Sequence, residues 1–66
     1  MKVRYPEVKV RLTGKDGNAL AIVGRVKNAL LEAGVSKEEA DEFVKEALSG
    51  DYDHLLQTVM RWVEVE

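Results

Sequence analysis

The chain has no cysteine, one histidine, one tryptophan and one proline, and each scarcity closes off some chemistry. Without thiols there is no disulfide to staple a small domain and no thiolate metal site. Zinc would have to be held by His54 and carboxylates, a thin donor set beside the Cys and His clusters of structural zinc sites. No apolar run approaches the roughly 20 residues that a membrane-spanning helix needs. The opening MKVRYPEVKV alternates apolar and polar residues instead of forming the apolar core of a signal peptide. The expectation is therefore a cytoplasmic protein with no membrane partner and no cofactor.

What remains is an ordinary globular composition, 45% hydrophobic and 33% charged over 66 residues. This is a single domain, 1–66, near the lower limit of independent folding: such a chain buries roughly 60% of its unfolded surface. A core of that size supplies about 3–5 kcal/mol. Charge is unevenly spread. Residues 1–27 hold seven Lys/Arg against two Asp/Glu, and residues 28–66 hold three against ten. Such asymmetry marks either a nucleic-acid-binding half or two halves that neutralise each other in the fold.

Residues 8–13, VKVRLT, alternate with the period of a half-buried strand, placing Val8, Val10 and Leu12 inward and Lys9 and Arg11 outward. Pro6 is tolerated only at the beginning of such a strand or on an edge. GKDGN, residues 14–18, reads as a turn in which Asp16 or Asn18 caps a helix. Leu20, Ile22, Val23, Val26, Leu30 and Ala33 then form a helical stripe that Gly34 ends. Gly24 inside that helix is expected to mark a close backbone approach. Ser36-Lys37-Glu38-Glu39 is a capping box, with Val35 placed to staple onto Ala40. It opens a second helix carrying Ala40, Phe43, Val44, Ala47 and Leu48, which Gly50 ends. Leu55, Leu56, Val59 and Met60 give a short third helix its apolar side, and RWVEVE, residues 61–66, alternates as a closing strand. The order is β-α-α-α-β, an α+β domain with a two-stranded sheet under helices packed on one face. Three equal helices bring the last strand back parallel, whereas a short third helix permits an antiparallel return.

Asp51, Tyr52, Asp53 and His54 crowd polar groups into four positions. Consecutive residues at a helix start point in different directions, so capping by Asp51 or Asp53 outweighs a metal or catalytic site. The sequence GKDGN matches neither the phosphate loop G-x-x-x-x-G-K-[ST] nor the dinucleotide turn G-x-G-x-x-G, and Asp16 would repel an anion. The outer face of the sheet is the better candidate. Lys9, Arg11, Trp62, Glu64 and Glu66 share it by parity, and neighbouring strands would pair Lys9 and Arg11 with Glu64 and Glu66. Tyr5 joins this surface provided Pro6 does not shift the register. An exposed Trp62 flanked by Lys9, Arg11 and Tyr5 fits a homodimer or partner-protein interface, or a stacking platform for single-stranded nucleic acid. Alternatively Trp62 tucks against the third helix and the parity is off by one.

GKDGNALAIVGRVKNAL, residues 14–30, and SGDYDHLLQTVMRWV, residues 49–63, resemble a group of short bacterial and phage-encoded proteins sharing a DGNA turn and a GDYDHLL segment. That group has no established biochemical activity, so the resemblance implies a natural accessory protein and carries over no catalytic residues. The expected function is a non-enzymatic protein-interaction module, phage-related, acting through its sheet face or edge on another protein or on itself as a homodimer. The alternative is nucleic-acid binding through Lys2, Arg4, Lys9, Arg11, Arg25 and Lys27. An enzyme built on Asp51, Asp53 and His54 would need a cleft that so short a chain scarcely provides.

Overall fold

A computed structural model of the chain describes residues 3–12 and 18–66. Strand β1 (Tyr5–Val10) is followed by helices α1 (Ala19–Glu32), α2 (Lys37–Ala47) and α3 (Tyr52–Trp62) and by strand β2 (Val63–Val65). The two strands form one parallel sheet against the helices, so the α+β class and the β-α-α-α-β order are as the sequence implies. Lys2, Thr13 and the glycine turn at 14–17 lie outside the described residues.

Each helix begins where a short polar side chain can accept from its orphan amides. Asn18 Oδ1 accepts from Leu20 N–H at 3.1 Å, Ser36 Oγ from Glu39 N–H at 3.2 Å and Asp51 Oδ1 from His54 N–H at 2.9 Å. The Glu39 carboxylate, which in a full capping box turns back to the cap, accepts instead from Arg4 at 2.8 Å. α1 ends in a Schellman motif: Val35 N–H donates to Leu30 O, Gly34 N–H to Leu31 O, and Gly34 takes φ +94°. That left-handed backbone is why a glycine stands there.

The third helix is not short: α3 has the same 11 residues as α2, and β2 runs parallel to β1, the direction that three equal helices imply. Tyr5 stands opposite Val63, Lys9 opposite Glu64 and Val10 opposite Val65, so β1 advances four residues while β2 advances one. Pro6, which has no N–H to give a ladder, sits in the bulge this creates.

The core takes Val8 and Val10 from β1, Ile22, Val23, Val26 and Leu30 from α1, Ala40, Phe43 and Ala47 from α2, Leu55, Val59 and Trp62 from α3, and Val63 from β2. Several stripe positions read from periodicity lie outside it. Leu20, Leu48 and Met60 are exposed, because each sits at the margin of its helix's apolar arc in a domain too small to cover the full arc. Thr58 is fully buried in their stead, its hydroxyl donating to His54 O at 2.8 Å. Gly24 marks no close approach either, since a Cβ there meets nothing within 4 Å. Among the described residues no helix is long and apolar enough to cross a membrane.

Two glycines therefore respond oppositely to alanine. Gly24→Ala should stabilise the fold by about 0.5–1 kcal/mol through helix propensity. Gly34→Ala should cost about 1–2 kcal/mol by forcing a Cβ into left-handed backbone. Urea unfolding of both variants checks the pair, and equal signs would contradict the geometry.

Candidate functional site

Trp62 is the last residue of α3, and only 4% of it is exposed. The expectation of a tryptophan on the open sheet face is thus corrected, and so is the alternative of a strand residue tucked against the third helix: Trp62 belongs to that helix and packs against α2 and β1. The strand begins at Val63 and not at Arg61, so Trp62 follows the helical spacing of Leu55 and Val59 instead of the alternation of RWVEVE. Its ring meets Phe43 edge-on at a centroid distance of 5.5 Å and Tyr5 at 6.0 Å. The Arg4 guanidinium lies 4.3 Å from the ring centroid, held from behind by Glu39. The indole N–H donates to Glu46 Oε2 at 3.0 Å. Tyr5 is corrected with it: the bulge at Pro6 breaks the parity linking Tyr5 to Lys9, and Tyr5 turns its ring half-buried onto Trp62.

The polar stretch at 51–54 has a structural use. His54 Nε2 stands 2.9 Å from the Glu46 carbonyl oxygen, which can only accept, so Nε2 carries the proton and donates it there. Ser49 Oγ donates to the same carbonyl at 2.7 Å and lies 3.2 Å from Nε2. A Ser–His contact of this length invites comparison with a nucleophile and its base, yet the nitrogen facing Ser49 is the protonated one and cannot take a proton from it. The two donors close the C-terminal end of α2, with Asp51 capping the helix that follows. Gly50 is required by this packing, since a Cβ there would come 2.8 Å from the His54 ring. Asp53 accepts from Gln57 at 3.1 Å on the other side of the helix start. Among the described residues no group of three or more His, Cys, Asp or Glu is placed to hold a metal ion.

Much of the basic set is engaged within the fold. Arg4 is taken by Glu39 and Trp62, Lys27 pairs with Asp41 at 3.1 Å, and Arg25 Nη1 donates to Arg11 O at 3.0 Å. Lys9 and Arg11 remain exposed on the outer face, as alternation implies. Lys9 stands opposite Glu64 in the register without closing an ion pair, and Arg11 closes none with Glu66.

Among the described residues no strand pairs with the other edge of β1, which is free in that sense. Val10 turns its carbonyl to β2, where it accepts from Glu66 N–H at 2.9 Å. Amide direction alternates along an extended strand with the side chains, so Lys9 and Arg11 turn theirs away from β2. Arg11 shows this directly, since its carbonyl meets Arg25 on the α1 side. Two grooves run along that edge. One of about 500 Å³ is lined by Lys9, Val10 and Arg11 with Arg25, Asn28, Ala29 and Glu32 of α1. Another of about 400 Å³ lies between Tyr5, Glu7 and Val8 and the turn from α1 to α2. Of the four residues proposed from sequence, Lys9 and Arg11 thus belong to an accessible strand edge, Trp62 belongs to the core, and Tyr5 lies half-buried between the two on the wall of the second groove.

No family model, no curated protein and no solved structure matches this chain.

Burial of Trp62 sets a measurable expectation. Trp62→Ala should cost about 3–5 kcal/mol, comparable with everything a core of this size supplies, and leave the chain unfolded. Trp62 emission should be blue-shifted and shielded from quenchers in the native protein and move to the red in urea. Red, readily quenched emission from the folded chain would contradict the packing.

Proposed function

We propose that the chain is a non-enzymatic interaction module that takes an extended segment of a partner protein along the free edge of β1. The observation that carries this is the direction of the Lys9 amide groups, away from β2 and into a groove walled by α1. A strand edge with a groove beside it is the arrangement by which domains bind extended peptides as an added strand. Main-chain hydrogen bonds supply affinity there, and side-chain pockets supply choice of sequence. Lys9 and Arg11, exposed beside the edge, favour a segment with carboxylates at alternate positions.

Nucleic-acid binding is the weaker reading. Of the residues it requires, Arg4 and Lys27 are paired with carboxylates and Arg25 is bonded to the backbone of β1. Glu7, Glu64 and Glu66 stand exposed on the same two strands or at their ends. With the resemblance to short bacterial and phage-encoded proteins, the edge supports a small cytoplasmic accessory protein, phage-related, that acts by binding another protein.

Selection from a peptide-display library on the immobilised chain tests this reading. Enriched peptides should alternate like a strand, carry acidic residues, and lose at least about tenfold in affinity on Lys9→Pro, which removes one edge donor. Leu31→Ser, on an exposed part of α1, should leave binding intact, and circular dichroism should show both variants folded. Absence of any enriched peptide, or binders indifferent to Lys9→Pro, would remove the edge reading. Retention on nucleic acid that falls steeply with salt would put the alternative in its place.

A further inference from the structure

The free edge of β1 is complementary to itself. Glu7 and Lys9 are both exposed, carry opposite charge, and flank the inward-facing Val8. Lys9 alternates with Val8 and Val10, so its side chain points to the open face and its amide groups to the free edge, and Glu7 is exposed at the end of the bulge beside it. A second copy placed antiparallel, with the two-fold axis at Val8, sets each Glu7 directly against the other copy's Lys9. The edge-facing amides of Lys9 then lie against the Glu7 stretch of the other copy, so the charges meet where the new ladder forms. The neighbouring register of the same kind, with the axis at Lys9, sets Lys9 against Lys9 and is disfavoured by like charge.

Arg25, Asn28, Ala29 and Glu32 of α1 line the groove beside Lys9, Val10 and Arg11, and an axis at Val8 lies beyond them, level with the turn that follows α1. Arg25 keeps its bond to Arg11 O in this arrangement, which limits the new ladder to the stretch around Glu7–Lys9.

We infer that the first occupant of the β1 edge is a second copy of this chain, paired antiparallel about Val8 into a four-stranded sheet. This rests on the edge reading above and names its partner. Two strands alone make a weak sheet with both edges open, and two-fold pairing removes one edge from each copy. Because the ladder is short, the dimer forms with rising concentration and exchanges with monomer.

Sedimentation velocity and amide hydrogen exchange of Lys9 N–H, both followed from micromolar to millimolar protein, test the inference. The expected result is a dimer whose formation slows Lys9 exchange in step with mass. Lys9→Glu should weaken association by about tenfold or more, and the charge-swapped double variant Glu7→Lys with Lys9→Glu should restore it. A monomer at every concentration with fast Lys9 exchange overturns self-pairing and leaves the edge free for another protein. A monomer with slow Lys9 exchange overturns both, since the chain itself then covers the edge. A dimer with fast Lys9 exchange, or one indifferent to Lys9→Glu, places the interface elsewhere and overturns the inference.

Discussion

The indole of Trp62 ties the two ends of the chain to one another and to α2. Phe43 and Glu46 of α2 meet its edge and its N–H, Tyr5 of β1 meets its ring, and Arg4 stacks on it with Glu39 behind. Its backbone is also the hinge at which α3 passes directly into β2. Glu46 completes the junction, with one carboxylate oxygen on Trp62, the other 3.2 Å from Arg61, and its carbonyl accepting from Ser49 and His54. The placement of both strands against the helices follows from this joint.

A core this small also explains the surface. Three helices of 14, 11 and 11 residues supply more apolar arc than two short strands can cover, and Leu20, Leu48, Tyr52 and Met60 are left in water. The sheet has the reverse shortage. Its outer face carries charge and its inner face is filled, so its unused capacity is in the backbone, along β1. Among the described residues, Arg25 reaches across to Arg11 O beside that edge.

The helices were legible because each is announced by a cap, Asn18, Ser36 and Asp51, and α1 also by the stop at Gly34. Lys9 and Arg11 were legible as exposed because Val8, Val10 and Leu12 alternate cleanly. Trp62 was misread because no turn separates α3 from β2, and MRWVEV satisfies the helical period and the strand period at once. Tyr5 was misread because a bulge changes parity, and nothing but Pro6 announces one. The stacking of Arg4 on Trp62 joins residues from opposite ends of the chain, which local pattern does not reveal. The apparent motif at 51–54 resolved into capping once the Glu46 carbonyl was seen to hold His54 Nε2.

The parallel pairing of β1 with β2 has a consequence for synthesis on the ribosome. β1 is made before β2, yet its partner strand among the described residues is Val63–Val65, which leaves the exit tunnel after the three helices. Throughout that interval Val8 and Val10 have no sheet to join and both edges of β1 are open. Local contacts let the helices form early, while the sheet waits on the most distant pairing in the chain. A nascent chain is therefore most prone to pair with a neighbour on the same messenger in that interval. The charges of Lys9, Arg11 and Glu7 then act on the incomplete protein, keeping strands in mismatched registers apart before the native partner arrives.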